Sequence, residues 1–350
     1  MDAYKMPLDT LSLVVYVMTM FLGLPSNLLV LYIFFKKARN RLTPNHIYMI
    51  NLCVSDLVFI VFLPIKIIET FLHSWTLPGI LCPLFNFVHF STIYASICFL
   101  TAVSVGRYLS VAFPIKYKIY KKPRYSFLIC ICLWAIVFAH VSFVFLLETS
   151  QNGFLQLFLS KIDDDKVVCY ENFTETQLKM IVPARLELSI VLFFFPLAIT
   201  IFCYTRCIQI LMRSCMHAKH KKRAIRVAVT TLTVFVVCFT PYNISHVVGF
   251  VEQSSVSWRK VALLPGTCNA FLDPLVFYFL STSVDKGFYQ AWKSLQQRYS
   301  ISKRKLSTVF MKEHPEHPKA ETIKTISAAV TRTSMQHIAT TRNVQRQVNI

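Results

Sequence analysis

Four residues whose side chains could hold a cation, Asn27, Asp56, Asn269 and Asp273, lie inside apolar runs of this 350-residue chain. A polar residue at the middle of a lipid-spanning helix costs on the order of 2.5–3.5 kcal/mol unless it faces a partner or water. These four fall near the middles or inner halves of the first, second and seventh runs. They point to a polar network at the core of a helix bundle, fit to house a sodium ion or waters; the plainer alternative is four unrelated buried polar residues, each satisfied locally. Cysteine supplies the second chemistry. Of eleven cysteines, Cys82 begins the third run and Cys169 lies in the long segment between the fourth and fifth. Both face an oxidising compartment if that side is extracellular, and a bridge between them would pin the segment over the mouth of the bundle. Asn172-Phe173-Thr174 adds a glycosylation sequon to the same segment. Most other cysteines sit in apolar runs as small packing residues. No nucleophile elbow, metal-ligand cluster or glycine-rich phosphate loop is present, which argues against an enzyme.

Seven apolar runs must position these groups: roughly 11–35, 47–72, 82–106, 126–147, 183–211, 225–250 and 260–280. Each is long enough to cross about 30 Å of hydrocarbon as a helix. The segments between them alternate in sign. Lys36, Lys37, Arg39 and Arg41 follow the first run, Lys116 to Arg124 the third, and Arg213 to Arg226 the fifth, while Asp163, Asp164, Asp165, Glu171, Glu175 and Glu252 mark the other side. By the positive-inside rule the basic segments are cytoplasmic and the N-terminus extracellular. A net charge of +20 therefore reflects topology, with anionic lipid headgroups as its natural partner, rather than nucleic acid. An apolar content of 55% with only 15% charged residues suits helices packed in lipid. The fold expected is an all-α membrane protein, a seven-helix bundle over 11–280 after an extracellular N-terminus of 1–10. No cleaved signal peptide and no inverted repeat is visible. Residues 300–350, rich in Lys, Ser, Thr and His, read as a disordered cytoplasmic tail. Pro64, Pro196, Pro241 and Pro274 fall within runs as candidate kinks.

Asn27, Leu52 with Asp56, Gly106-Arg107-Tyr108, Trp134, Pro196 with Tyr204, Cys238-Phe239-Thr240-Pro241 and Asp273-Pro274 occur in order through the seven runs. This pattern resembles the signature positions of rhodopsin-like G-protein-coupled receptors, and it covers the whole bundle. The resemblance implies a plasma-membrane receptor that signals to heterotrimeric G proteins of the Gi/o or Gq type, with arrestin and receptor kinases acting on the tail. Arg107, Tyr108, Tyr204, Phe239, Asp273, Pro274 and Tyr278 are the expected activation residues, and Asp56, Asn269 and Asp273 the expected sodium ligands; no other cofactor is implied. Phe288, Trp292 and Leu295, spaced i, i+4 and i+7 among basic residues, suit an interfacial eighth helix over 281–299.

Three positions depart from that pattern. Gly106 stands where an acid usually precedes the arginine, so Arg107 lacks its neighbouring ion-pair partner and some ligand-independent signalling is expected. Phe239 replaces the usual tryptophan of the sixth run. In the seventh, the aromatic after the proline is Phe277, with Tyr278 about 100° further round the helix.

Within the receptors, Leu63 to Glu69, Cys169 to Phe173, Arg185 to Leu188, Pro241 to His246 and Trp258-Arg259 resemble the free fatty acid receptors. That family binds a carboxylate through two arginines near the outer ends of the fifth and seventh helices, assisted from the sixth. Here these correspond to Arg185, Arg259, Tyr242 and His246, with Phe90, Tyr94 and His140 at further pocket positions. His246 is similar to the short-chain branch, whereas Gly106 and Cys82 to Phe85 look more like the long-chain branch. The chemistry is sound on its own terms, since guanidinium offers a planar fork that matches a carboxylate's two oxygens. Tyr242 and His246, four residues apart, share a helix face. Against this stands a plainer reading in which Arg185 pairs with Glu187 or the acidic loop and Arg259 with Glu252 as rim salt bridges, and in which His140 and His89 are packing residues. The competing functions are a receptor for longer fatty acids, for hydroxycarboxylic acids or for nucleotides, and, in another class, a membrane transporter.

Overall fold

The computed structural model describes residues 5–38, 43–120, 122–149, 159–163, 166–169, 173, 175–214 and 218–280. All of them belong to the first of the chain's two units, Met1–Phe288. The eighth helix expected over 281–299, the tail after 300 and the sequon's Asn172 lie outside the described residues.

Seven long helical segments appear in the order expected. They are α1 (Lys5–Ala38), α2 (Pro44–Leu72), α3 (Leu81–Ala112), α5 (Pro123–Thr149), a continuous stretch made of α6 (Glu175–Ser189), a π-helical segment (Ile190–Phe194) and α7 (Phe195–Arg213), then α8 (Ala218–Glu252) and α9 (Arg259–Leu280). Among the described residues, six of these segments are long and apolar enough to cross a membrane by length and composition. The last, α9, packs between α1 and α8 as a seventh member. The chain is thus a multi-pass membrane protein. Its outer surface carries large apolar side chains such as Phe21, Val61, Phe71 and Phe195, as lipid contact requires.

The helices overrun the apolar runs. The N-terminal segment expected over 1–10 already contributes the first turns of α1, from Lys5; α6 begins eight residues before the run that announced it; and α8 carries Lys221, Lys222, Arg223 and Arg226 within the helix rather than in a loop. Hydropathy marks only the stretch that meets hydrocarbon, whereas backbone hydrogen bonding continues into the polar region. A short helix, α4 (Pro114–Tyr120), and an antiparallel hairpin of β1 (Leu159–Asp163) and β2 (Lys166–Cys169) were not expected.

Local chemistry sets the boundaries that matter. Thr43 caps α2 by accepting a hydrogen bond from the His46 amide at 3.4 Å, with Pro44 at the first helical position. His73 at φ 52° closes the same helix in the left-handed region. The helix α3 is buried around most of its circumference and forms the axis of the bundle, whereas α1 and α5 turn most of their surface outward. Asn51 and Trp134 tie α2 to α5, the indole Nε1 donating to Asn51 Oδ1 at 3.2 Å. Pro196 lies within the continuous stretch from Glu175 to Arg213. It sits in the first turn of α7, directly after the π segment, whose wider winding relieves the crowding a proline ring imposes on the preceding turn.

Candidate functional site

Three helix faces meet at the Arg185 end of the bundle. Phe90 and Tyr94 are i, i+4 neighbours on α3, Tyr242 and His246 are i, i+4 neighbours on α8, and α6 brings Arg185 and Leu188. With Val141 and Val144 of α5 they enclose a cavity of about 290 Å³, its open mouth included. Phe90 stacks on Tyr242 at 6.1 Å, and Tyr242 meets His246 edge-on at 4.4 Å. The walls are apolar apart from a few groups. Arg185 is 6% exposed and His246 3%, and the His246 Nε2 atom is buried with no hydrogen-bond partner. Such a nitrogen costs free energy unless a ligand or water meets it.

Arg259 is the first residue of α9 and does not line the cavity itself. It joins Arg185 through a third residue, Phe173, whose ring centroid lies 4.9 Å from Arg185 Cζ and 5.9 Å from Arg259 Cζ. Both guanidiniums lie within electrostatic reach of His246. The Cys82–Cys169 disulfide, with Cα atoms 5.8 Å apart, fastens the segment before Phe173 to the start of α3.

The acids that could have quenched these cations are partly engaged elsewhere. Glu187 Oε1 accepts from His140 Nδ1 at 2.7 Å, and Glu69 is bound by Lys66 at 2.7 Å. His140 thus faces Glu187 on α6 rather than the cavity. His89 is likewise away from the cavity, ringed by Phe59, Phe85 and Phe90 at 4.9, 5.4 and 5.6 Å. Sequence reasoning gave no site role to Phe173 or to the apolar floor of Val141, Val144 and Leu188. An aromatic at the middle of a sequon carries no signal of its own, and valines on a lipid-spanning helix look the same facing lipid or ligand.

Deeper in the bundle, Asn27 Nδ2 donates to the Ala270 carbonyl at 2.6 Å, joining α1 to α9, and Asn269 Nδ2 donates to Asp273 Oδ2 at 2.8 Å. Asp56 Oδ2, Asp273 Oδ1 and Asn269 Oδ1 are buried without partners, and the two carboxylates lie within electrostatic reach of each other. Orphaned oxygens of this kind, gathered from α2 and α9, form a donor set suited to a small hard cation. Among the described residues, no group of three His, Cys, Asp or Glu offers a transition-metal site.

At the opposite end, Arg107 Cζ lies 5.9 Å from the centre of the buried Tyr204 ring, and Tyr108 meets Phe202 edge-on at 5.7 Å. Among the described residues Arg107 has no ion-pair partner. Gly106 is buried, and a Cβ there would meet Asn45 Oδ1, so a larger residue requires the Asn45 side chain to shift. Phe239 is 1% exposed and packs edge-on to Phe235, which stacks on Phe193 within the π segment. Asp273 is fully buried, Pro274 lies inside α9, and the Tyr278 backbone is helical with its side chain outside the described ones.

Known proteins share this pattern. A family described as 7 transmembrane receptor (rhodopsin family) matches residues 26–277. Free fatty acid receptor 3 of Mus musculus is 40% identical over 277 residues, which cover 79% of this chain and 85% of that protein. Free fatty acid receptor 2 of Mus musculus is 41% identical over 287 residues, covering 80% and 84%. Free fatty acid receptor 1 of the same organism is 39% identical over 283 residues, covering 79% and 93%.

Proposed function

The chain belongs to the rhodopsin family of seven-transmembrane receptors, among the free fatty acid receptors, and from that premise we propose that it is activated by a free fatty acid, short-chain by preference, and signals to a heterotrimeric G protein. The family is one of receptors, not enzymes or transporters. One observation carries the ligand class: a buried guanidinium, Arg185, and an unpartnered buried imidazole nitrogen, His246 Nε2, converge on a cavity that is otherwise aromatic and aliphatic.

A carboxylate satisfies both groups at once. Arg185 presents a fork to its two oxygens, His246 Nε2 donates when protonated at that atom, and Tyr242, Phe90 and Tyr94 shelter the alkyl tail. A monoanion needs few cations at the mouth, whereas a nucleotide would need more than Arg185, Arg259 and Lys260. The close aromatic walls, with Phe90 stacked on Tyr242 at 6.1 Å and Tyr94 beside them, suit a short alkyl tail.

Binding shifts a two-state equilibrium by its differential affinity for the states. A carboxylate drawn against Arg185 and His246, with Arg259 close by, pulls α6, α8 and α9 together at this end and favours opening at the Arg107 end. There Arg107, Tyr108 and Tyr204 meet the G protein, of the Gi/o or Gq type, and Tyr278 takes part in the switch. The topology that fits is a plasma-membrane receptor with an extracellular N-terminus, Asn172 glycosylated outside, and basic segments on anionic lipid inside. Receptor kinases and arrestin would act on the cytoplasmic tail. The buried oxygens of Asp56, Asn269 and Asp273 would hold a sodium ion, whose charge offsets two adjacent carboxylates and stabilises the inactive packing of α2 against α9.

The test is G-protein activation across saturated acids of increasing length beside their primary amides, which keep the shape and lose the charge. Acids active and amides silent, with a maximum among the shorter chains, is the expected result. Equal activity of acids and amides would reject the carboxylate, and a maximum among long chains would reject the short-chain preference.

A further inference from the structure

On the reading just given, we infer that Phe173 is a positioning residue of the carboxylate site, an aromatic bridge that holds the guanidiniums of Arg185 and Arg259 together as a pair. The two arginines arise from different elements, α6 and the first residue of α9, and their like charges repel. The same ring lies 4.9 Å from one Cζ and 5.9 Å from the other. An aromatic face attracts a cation through its quadrupole without using up hydrogen-bond donors. Each guanidinium can therefore be held by the ring and still offer N–H groups to a carboxylate. Neighbouring acids cannot do this, because a side-chain carboxylate competes with the ligand's own.

The ring is itself well held. It packs against the main hydrophobic core and is half-buried. Four residues earlier the chain is tied to α3 by the Cys82–Cys169 disulfide, and two residues later α6 begins at Glu175. Between the disulfide-bound Cys169 and the start of α6, the ring offers a surface against which two long, flexible side chains are ordered before ligand arrives. Ordering in advance raises affinity by lowering what binding must supply in lost side-chain freedom.

The experiment measures the half-maximal concentration of a short-chain acid in the full-length receptor, at matched surface expression. Phe173→Leu keeps bulk and removes the ring. It should weaken potency about fivefold to thirtyfold, while Phe173→Trp stays within about threefold of wild type. A second series guards against misfolding: phenylalanines carrying one, two and three fluorines at position 173 keep the shape while draining the ring's negative face. Potency should fall stepwise with fluorine count. A flat response to fluorination, or equal losses in Phe173→Leu and Phe173→Trp, would overturn the inference. Arg185→Ala and Arg259→Ala, run in parallel, separate the two claims. If both lose the response while fluorination has no effect, only the role of Phe173 falls; if both respond as wild type, the carboxylate site itself falls.

Discussion

His140 Nδ1 donates to Glu187 Oε1 at 2.7 Å, and this contact engages the acid that stands two residues from Arg185. The pair joins α5 to α6. Its importance lies in what Glu187 does not do, which is occupy the guanidinium that a ligand carboxylate would bind.

Removing His140 should therefore release Glu187 as an internal competitor. His140→Ala is expected to weaken acid potency about threefold to tenfold, and Glu187→Gln in the same background to restore most of the loss. Concentration–response curves for the two single variants and the double variant form the cycle. Additive losses would mean that His140 contributes in some other way.

Gly106 leaves Arg107 without a neighbouring acid, and a Cβ at this position would meet Asn45. Basal G-protein signalling should exceed that of untransfected cells and fall in Gly106→Glu, where a carboxylate can restrain Arg107. Because the larger side chain must also displace Asn45, the Asn45→Ala/Gly106→Glu variant should lower basal signalling at least as far. Wild-type basal signal equal to background, unchanged by Gly106→Glu, would count against this.

Much of the bundle was legible in the sequence, and the failures have specific causes. The alternation of apolar runs and basic segments located all seven helices, because hydrocarbon thickness and backbone satisfaction leave a spanning chain few options. Helix ends were not legible, since α8 continues through Lys221 to Arg226 on hydrogen bonding alone. The π segment at Ile190–Phe194 was hidden because one extra residue per turn leaves an all-apolar stretch looking unchanged. In the site, Arg185, Tyr242, His246, Phe90 and Tyr94 converge on one cavity, as their family positions implied. His140 faces Glu187 instead, and nothing in residue type or spacing could reveal that pairing. Phe173 was invisible for a similar reason, since an aromatic earns its role here only from where two distant arginines arrive.

Ligand size limits affinity. At about 1.5 kcal/mol per heavy atom, acetate with its four heavy atoms gains at most roughly 6 kcal/mol, a dissociation constant of tens of micromolar. Direct binding of acetate to purified receptor should be no tighter than this. Reproducible nanomolar binding would be incompatible with a small carboxylate held in this cavity.

The orphaned oxygens of Asp56, Asn269 and Asp273 predict sensitivity to sodium. Replacing choline with sodium at constant ionic strength should weaken agonist binding several-fold, the reciprocal of an ion that favours the inactive state. Asp56→Asn should abolish the difference. Equal agonist affinity in both salts for the wild-type protein would show that these carboxylates are balanced without sodium.

G-protein activation by propionate, measured at matched surface expression in the wild-type receptor, Arg185→Ala and Arg259→Ala, bears most directly on whether two arginines select the ligand. Truncating one partner of a buried charge pair costs about 2–5 kcal/mol, so each variant should lose at least about thirtyfold in potency. A wild-type half-maximal concentration in either variant would contradict the assignment of that arginine to the carboxylate.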